Sequence, residues 1–442
     1  MVCRHFTSVR NTFKKLGQNP PAMLTSRERV MMAIQHKEPD MVPVDFGGMD
    51  CSGGIHALAY EKMAKHFRLD EEVRIYDPIQ MLAEPSEFFL RKFGADVVSV
   101  LRSTPPTGLT EEDKQFKDYS LLGSNVKIPR EIDITRGDDG SDYMHAWFSR
   151  DASKRSTIVA KRNPSACYFD HLPVYLPLKD VKKVSDINEL PPHHWIPEHS
   201  DSGLRTLRKN AKWLHENTYY AIFGMSGAGI FEMTIYLLGF ENFFRSLKTN
   251  RKVVESVVEL LLEHNKIELK KYLDAVGDYL QVVGIGGEDL GSQVGPFVNP
   301  MDWRELFEPA IKELVDIIKS KTNCYVMIHS CGSIKPFISD FIEMRIDIWN
   351  PVQISAKNMD PRELKKEFGD NMTFWGGGID TQHVLPFASP QKVKDHVREL
   401  VEIFKPGGGF IFNQIHNVQP ETPPENIVAM FEAVNEARGY RS

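Results

Sequence analysis

The stretch MVPVDFGG at residues 41–48 states a unit that then recurs along the chain. A short apolar run ends at Asp45, and two glycines follow, the pattern of a strand that delivers a polar residue to a loop. The preceding text, TSRERVMMAIQHKEPD at 25–40, reads as a helix. Thr25 or Ser26 can accept from the unpaired amides of its first turn, Val30, Met31 and Ile34 recur at helical spacing, and Pro39 stops it. Further along, apolar runs predict strands at Val97–Leu101, Tyr219–Gly224, Tyr279–Val283, Tyr325–His329, Ile346–Trp349, Thr373–Gly376 and Gly409–Asn413. Amphipathic stretches between them predict helices at Phe240–Leu247, Val253–Tyr272, Asp302–Ser320, Pro361–Phe368 and Ser389–Phe404. With the first strand the count is eight, and strand–helix alternation of that number predicts an α/β fold, a (β/α)8 TIM barrel.

One stretch breaks the rhythm. Residues from about 103 to 214 are rich in Pro, Asp, Ser and aromatics, with a turn at GDDGSDY and a strand at YMHAWFS. They read as an insertion after the second barrel strand, placed to wall a pocket over the carboxyl ends of the strands. A separate accessory domain is the other reading. The first 22 residues are basic, without acidic residues, and end in Pro20-Pro21, so they read as a disordered tail, with an organelle transit peptide as the alternative. Residues 23–442 are then a single barrel domain.

The bulk numbers fit a globular enzyme. In 442 residues, 41% are apolar and 26% charged, enough to bury a large core. A net charge of -6 gives no reason to expect nucleic acid or an anionic membrane as partner. No apolar run reaches the ~18 residues needed to cross a bilayer. The five cysteines, Cys3, Cys51, Cys167, Cys324 and Cys331, lack the dense even spacing of a secreted disulfide scaffold, which points to a reducing, cytoplasmic setting with thiols free for metal. GMSGAG at 224–229 and GIGG at 284–287 do not match a nucleotide-binding fingerprint and read as close backbone approach in loops.

In a barrel, chemistry gathers at the carboxyl ends of the strands. The residues expected there are Asp45, Arg102, Ser226, Glu288, Asp289, Gln293, His329, Cys331, Asn350, Gln353, Asp380, Asn413 and His416. The sharpest group is IHSCGS at 328–333: alternate residues of an extended chain share a side, so His329 and Cys331 can aim an imidazole and a thiolate at one point, a donor mix that suits zinc. A histidine beside a buried cysteine also arises by chance, so the pair alone leaves metal binding open. In FNQIHNVQPETPPEN at 412–426, helix capping accounts for Thr422, the prolines and Glu425, but not for His416, which lies on a mouth loop where it can ligate metal or hold an anion. In EDLGSQVGP at 288–296, Asp289 and Gln293 can orient a ligand or a metal-bound histidine.

The segments TSRERVMMAIQHKEPDMVPVDFGG, DPIQMLAEPSEFFLRKFGADVVSV, EDLGSQVGP and PETPPENIVAMFEAV together resemble the uroporphyrinogen decarboxylase superfamily over nearly the whole chain. The resemblance implies a distorted (β/α)8 barrel and two chemistries: porphyrin decarboxylation, or zinc-dependent methyl transfer involving a methylated corrinoid protein. The decarboxylases carry an arginine-rich RQAGR segment after the first strand; here the stretch reads DFGGMDCSGG, without arginine. His329 and Cys331 match the His-x-Cys zinc motif of the methyltransferase branch. That branch takes a cysteine as third ligand from the loop before TPPEN, where this chain has His416, a position at which decarboxylases carry a histidine.

The resemblance therefore implies zinc on His329, Cys331 and His416, with Glu288, Asp289 or Cys51 as alternative ligands. It further implies a corrinoid protein and a small molecule as partners and a homodimer as one assembly; from their places at the strand ends, Asp289, Glu288 and Asp45 are expected to be catalytic and Gln293, Asn413, Asn350, Asp380 and Ser226 to contact substrate. The alternatives are a porphyrin decarboxylase and a corrinoid- or ligand-binding barrel without chemistry.

Overall fold

The computed structural model describes residues 23–49, 52–102, 116–146, 153, 155–171, 178–187, 196, 198–227 and 229–440. The expected N-terminal tail and Cys51 lie outside these residues, as does part of the expected insertion.

Seven strands form one parallel sheet: β1 (Val97–Ser99), β2 (Ala221–Met225), β3 (Val282–Gly287), β4 (Tyr325–His329), β5 (Ile348–Asn350), β6 (Thr373–Trp375) and β7 (Phe410–Ile411). Each pairs with its sequence neighbour, from β1 at one edge to β7 at the other. The segment around Val44 joins those edges. On one side the Phe412 amide donates to the Pro43 carbonyl (2.8 Å) and the Asp45 amide to the Phe412 carbonyl (2.9 Å); on the other the Asp96 amide donates to the Val44 carbonyl (2.7 Å). The expected first strand thus closes the barrel, although its ladder is reduced to a single bridge, Val44 with Phe412, on one side and one backbone hydrogen bond on the other. The physical reason is local. Pro43 has no amide to give, and the Val44 amide goes to the Asp96 carboxylate (2.9 Å) instead of a backbone carbonyl.

The barrel is packed inside and plugged at one end. Val97, Ala221, Phe223, Val282, Met327, Ile348, Trp375 and Ile411 form one buried cluster with Met49 and with Val30 and Ile34 of the helix Ser26–Ile34. That helix begins with a capping box, in which the Thr25 side chain accepts from the Glu28 amide and Glu28 accepts from the Thr25 amide. It is pinned below the strands by Arg29, which bridges Asp40 and Asp96. The amino-terminal end of the barrel is therefore shut, and the opposite end is left for chemistry.

The helices Phe240–Thr249, Arg251–Val276, Pro361–Phe368 and Pro390–Phe404 fall where the apolar spacing places them. The helix expected over 302–320 is two, Pro300–Leu306 and Glu308–Lys321, because Pro309 in the second supplies no amide to continue the first. Within the long stretch after β1 lie a hairpin (Phe116–Leu121 with Ser124–Pro129) and a sheet of Ile134–Arg136, Asp142–His145 and Ile158–Arg162. The Tyr119 hydroxyl donates to Asp142 (2.6 Å), and Asp142 also pairs with buried Arg162, so hairpin and sheet are tied together. They join a small antiparallel sheet of Ile55–His56, Ile75–Asp77 and Leu82–Ala83 through the Lys127 amide on the Val73 carbonyl and the Phe169 amide on the Ile79 carbonyl. That small sheet in turn holds the loop after β7: the His56 amide donates to the Val418 carbonyl (2.9 Å) and the Gly54 amide to Asn417 (2.8 Å). The last part of the stretch, the helix Asp201–Asn217, is the crossover into β2, with Asn210 donating to the Val100 and Arg102 carbonyls. Among the described residues no helix is long and apolar enough to cross a membrane.

Candidate metal centre at the barrel mouth

β4 ends at His329, and its ladder continues on both sides, since Gly287 pairs with His329 and His329 with Asn350. Cys331 follows two residues on. The Cys331 sulphur lies 3.4 Å from His329 Nε2. His416 arrives from the loop after β7, its ring centroid 6.0 Å from that of His329 at 73°. One donor atom from each of the three lies within 4.8 Å of the other two. Burial first, and the neighbouring His329 second, hold the His416 imidazole down at about 4, so near neutral pH it offers a lone pair.

The surrounding groups fix these donors. Asn350 donates its Nδ2 to the Trp375 carbonyl (2.7 Å), which orients the amide; its Oδ1 then faces His329 Nδ1 at 2.8 Å and also accepts from Ser52 (2.6 Å). An acceptor at Nδ1 assigns the proton to that nitrogen and leaves the Nε2 lone pair toward Cys331. Asp289 accepts the Cys331 amide (2.8 Å), and its carboxylate stands 3.5 Å from His329 Nε2.

The other expected site residues fall into four places. Glu288 is buried behind the mouth, where its two oxygens accept the Ile230 (2.6 Å) and Phe231 (2.7 Å) amides at the start of the helix Phe231–Leu238. Burial raises its carboxyl to about 8 against the pull of those amides. Asp45 and Asn413 sit one layer below the mouth. Asp45 accepts from the Gly48 amide (2.7 Å), the Trp375 indole (3.0 Å) and the Asn413 amide group (2.8 Å), and burial lifts it to about 6. Trp375 and Asn350 connect this pair to His329. Gln293 and Asp380 lie on the rim: Gln293 is exposed and donates to Gln382, and Asp380 accepts from the Gln382 and His383 amides. Ser226 is turned away, its hydroxyl on the Gly284 carbonyl (2.8 Å).

One residue at the mouth was not singled out from the sequence. Glu232, in the first turn of the helix Phe231–Leu238, accepts from the Tyr236 hydroxyl (2.9 Å). It presses against the end of β3, so that a Cβ on Gly287 would stand 2.3 Å from its carboxylate. Gly229 makes this possible by laying its backbone on the Gly287 carbonyl, where a Cβ would come within 1.7 Å. Burial first, and the facing Asp289 carboxylate second, hold Glu232 well above the usual carboxylate range. The glycines were visible as loop geometry; an acid one turn into the following helix was the signal to weigh.

Comparison with known proteins bears on this arrangement. The family model described as uroporphyrinogen decarboxylase (URO-D) matches residues 175–437. A chloroplastic uroporphyrinogen decarboxylase 2 of Oryza sativa subsp. japonica is 24% identical over 276 residues, 61% of this chain and 64% of that one. A uroporphyrinogen decarboxylase of Hordeum vulgare is 23% identical over 273 residues, 61% of this chain and 75% of that one. The match thus spans less than two thirds of the rice protein's length. Among solved structures, a methyltransferase from Methanosarcina mazei superposes with a TM-score of 0.56 at 14% identity, over 93% of this chain and 99% of that chain, a likeness of fold.

Proposed function

Because the chain belongs to the uroporphyrinogen decarboxylase family, we propose that it is a zinc-dependent methyltransferase, moving a methyl group between a corrinoid on a partner protein and a small thiol or methylated molecule. The observation that carries this reading is the convergence of His329, Cys331 and His416 at the open end of a barrel whose other end is plugged. Two imidazoles and a thiolate are a zinc donor set, and three protein ligands leave the fourth position free for a substrate atom. Zinc held there supplies Lewis acidity that lowers the pKa of a bound thiol or hydroxyl.

The chain's own groups prepare that site. Asn350 keeps His329 in the tautomer whose Nε2 faces the other donors. Asp289 anchors the backbone of Cys331 and so fixes the thiolate relative to His329. The packed interior below excludes water from that side.

Decarboxylation is the second reading, favoured by the names of the matched plant relatives. Against it, the stretch from Asp45 to Gly54 has no arginine to hold a polycarboxylate. Arg102, which ends the β1 region, donates to the Pro85 carbonyl and stands 3.8 Å from Glu87. The test is methyl exchange by the purified, zinc-supplied protein between methylcobalamin and small thiols, and from methylated donors to cob(I)alamin. Exchange that Cys331→Ala abolishes supports the reading. Exchange that survives Cys331→Ala removes the metal assignment, and turnover of uroporphyrinogen by the wild type replaces it with decarboxylation.

A further inference from the structure

The three donors reach the metal centre with unequal support. His329 ends a barrel strand and has a ladder partner on each side, and the amide of nearby Cys331 is held by Asp289. His416 lies beyond the end of β7, and its loop hangs from a different part of the chain. The Val418 amide donates to the Gly54 carbonyl (3.0 Å), and the Gly54 amide donates to Asn417 Oδ1 (2.8 Å). Asn417, directly after His416 and buried, donates its Nδ2 to Gln80 Oε1 (2.9 Å).

Gln80 stands in the turn between the strands Ile75–Asp77 and Leu82–Ala83. The Asp77 carboxylate fixes both its backbone and its side chain: Oδ1 accepts the Gln80 amide (3.0 Å) and Oδ2 accepts Nε2 (2.8 Å). A carboxylate can only accept, so Nε2 faces Asp77 and Oε1 is left toward Asn417; the Gly54 amide fixes Asn417 in the complementary sense. The packing is close, since a Cβ on Gly54 would stand 2.7 Å from the Tyr76 hydroxyl and 3.2 Å from Asn417 Oδ1. The turn is braced from outside as well. The Ile79 carbonyl accepts the Phe169 amide (3.0 Å), and His56 Nε2 lies 2.9 Å from the Cys167 carbonyl.

Resting on the metal centre of the reading above, we propose that Gln80 is a positioning residue for the third ligand: through Asn417 it fixes the loop that presents His416. The antiparallel segments before and after β1 in the chain thereby brace one ligand of the metal. A donor carried on a loop loses conformational freedom when metal binds, unless the loop is already ordered, and Gln80 supplies that order in advance. Asn350 and Asp289 hold His329 and Cys331 from other elements, so loss of Gln80 is expected to release one donor of the three.

The test uses the full-length protein and zinc. Gln80→Met keeps the length of the side chain and removes both of its hydrogen-bonding groups. Partners that orient a ligand typically contribute ~10–100-fold in metal affinity, so the variant is expected to bind zinc at least about tenfold more weakly in competition with a chromophoric chelator. At saturating zinc, X-ray absorption at the zinc edge is expected to count two imidazoles and one sulphur in wild type, and one imidazole and one sulphur in Gln80→Met. A general loosening of the fold would not take one imidazole and leave the sulphur. In the double variant Asp77→Asn, Gln80→Glu the amide and the carboxylate trade places: position 77 donates to position 80, which still accepts from Asn417. Affinity and the second imidazole are expected to return. Wild-type affinity with two imidazoles in Gln80→Met overturns the proposal, and so does a double variant as weak as Gln80→Met. A wild type that binds zinc through two imidazoles and a sulphur but exchanges no methyl group overturns the methyltransferase reading alone; the loss of one imidazole in Gln80→Met then still supports the bracing of His416. A wild type that takes up no zinc overturns both.

Discussion

Replacing Asn350 by alanine separates the support of the metal centre from the centre itself. Asn350 makes three buried hydrogen bonds: it accepts from Ser52 (2.6 Å), faces His329 Nδ1 (2.8 Å) and donates to the Trp375 carbonyl (2.7 Å). Truncation strands a hydroxyl, an imidazole N–H and a carbonyl. At about 1 kcal/mol for each group left unsatisfied, the loss of stability is about 3 kcal/mol, to be read from urea unfolding of the zinc-free protein. Loss of the group that orients a ligating histidine typically weakens metal binding by ~10–100-fold, or about 1.4–2.8 kcal/mol. Competition with a chromophoric chelator measures this. Asn350→Asp keeps an acceptor for Nδ1 and is expected to retain zinc while losing the bond to Trp375. A zinc affinity equal to that of wild type in Asn350→Ala, alongside the expected loss of stability, would refute the argument that Asn350 sets the His329 tautomer.

Other outcomes follow from the same contacts. Asp96→Ala removes the acceptor for the Val44 amide and leaves buried Arg29 with Asp40 alone; unfolding should show a loss of about 3–5 kcal/mol with zinc content unchanged. Gly229→Ala drives a Cβ to 1.7 Å from the Gly287 carbonyl, a backbone atom that cannot swing away. A loss of at least about 1–3 kcal/mol is expected on thermal or urea unfolding. For Asp45, the folded value of about 6 exceeds the ordinary 3.8, so the native state keeps a proton that the unfolded state has lost. Its contribution is full below the ordinary value and disappears as pH rises to about 6, on the order of 3 kcal/mol in all. The stability difference between wild type and Asp45→Asn, measured across that window, should therefore shrink as pH rises and level off above it; a difference independent of pH would refute the shift.

The barrel was legible because each strand carries its own apolar run and its own polar end, and the eight units from MVPVDFGG to the Phe410 region all take part in the closed sheet. The bounds of the strands moved by up to four residues, as between Tyr279–Val283 and the observed Val282–Gly287, because apolar character continues into turns and out of helices. The convergence of His329 and Cys331 was readable from alternation along a single strand. That of His416 with them was not readable from spacing, since it depends on a loop 85 positions further on (416 − 331), and came only from the family resemblance. Glu288 illustrates a limit of reading strand ends: a carboxylate at the right position in sequence is turned to cap a neighbouring helix. Glu232 illustrates the converse, a helix residue brought to the mouth by the contact of two glycines.

The metal content of the purified chain tests the central claim most directly, with wild type measured by elemental mass spectrometry beside Cys331→Ala and His416→Ala. The account predicts about one zinc per wild-type chain, lost from both variants while their folding is retained. A wild type that takes up no zinc when it is supplied, or a His416→Ala variant that keeps a full complement, would contradict the three-ligand centre on which the proposed chemistry stands.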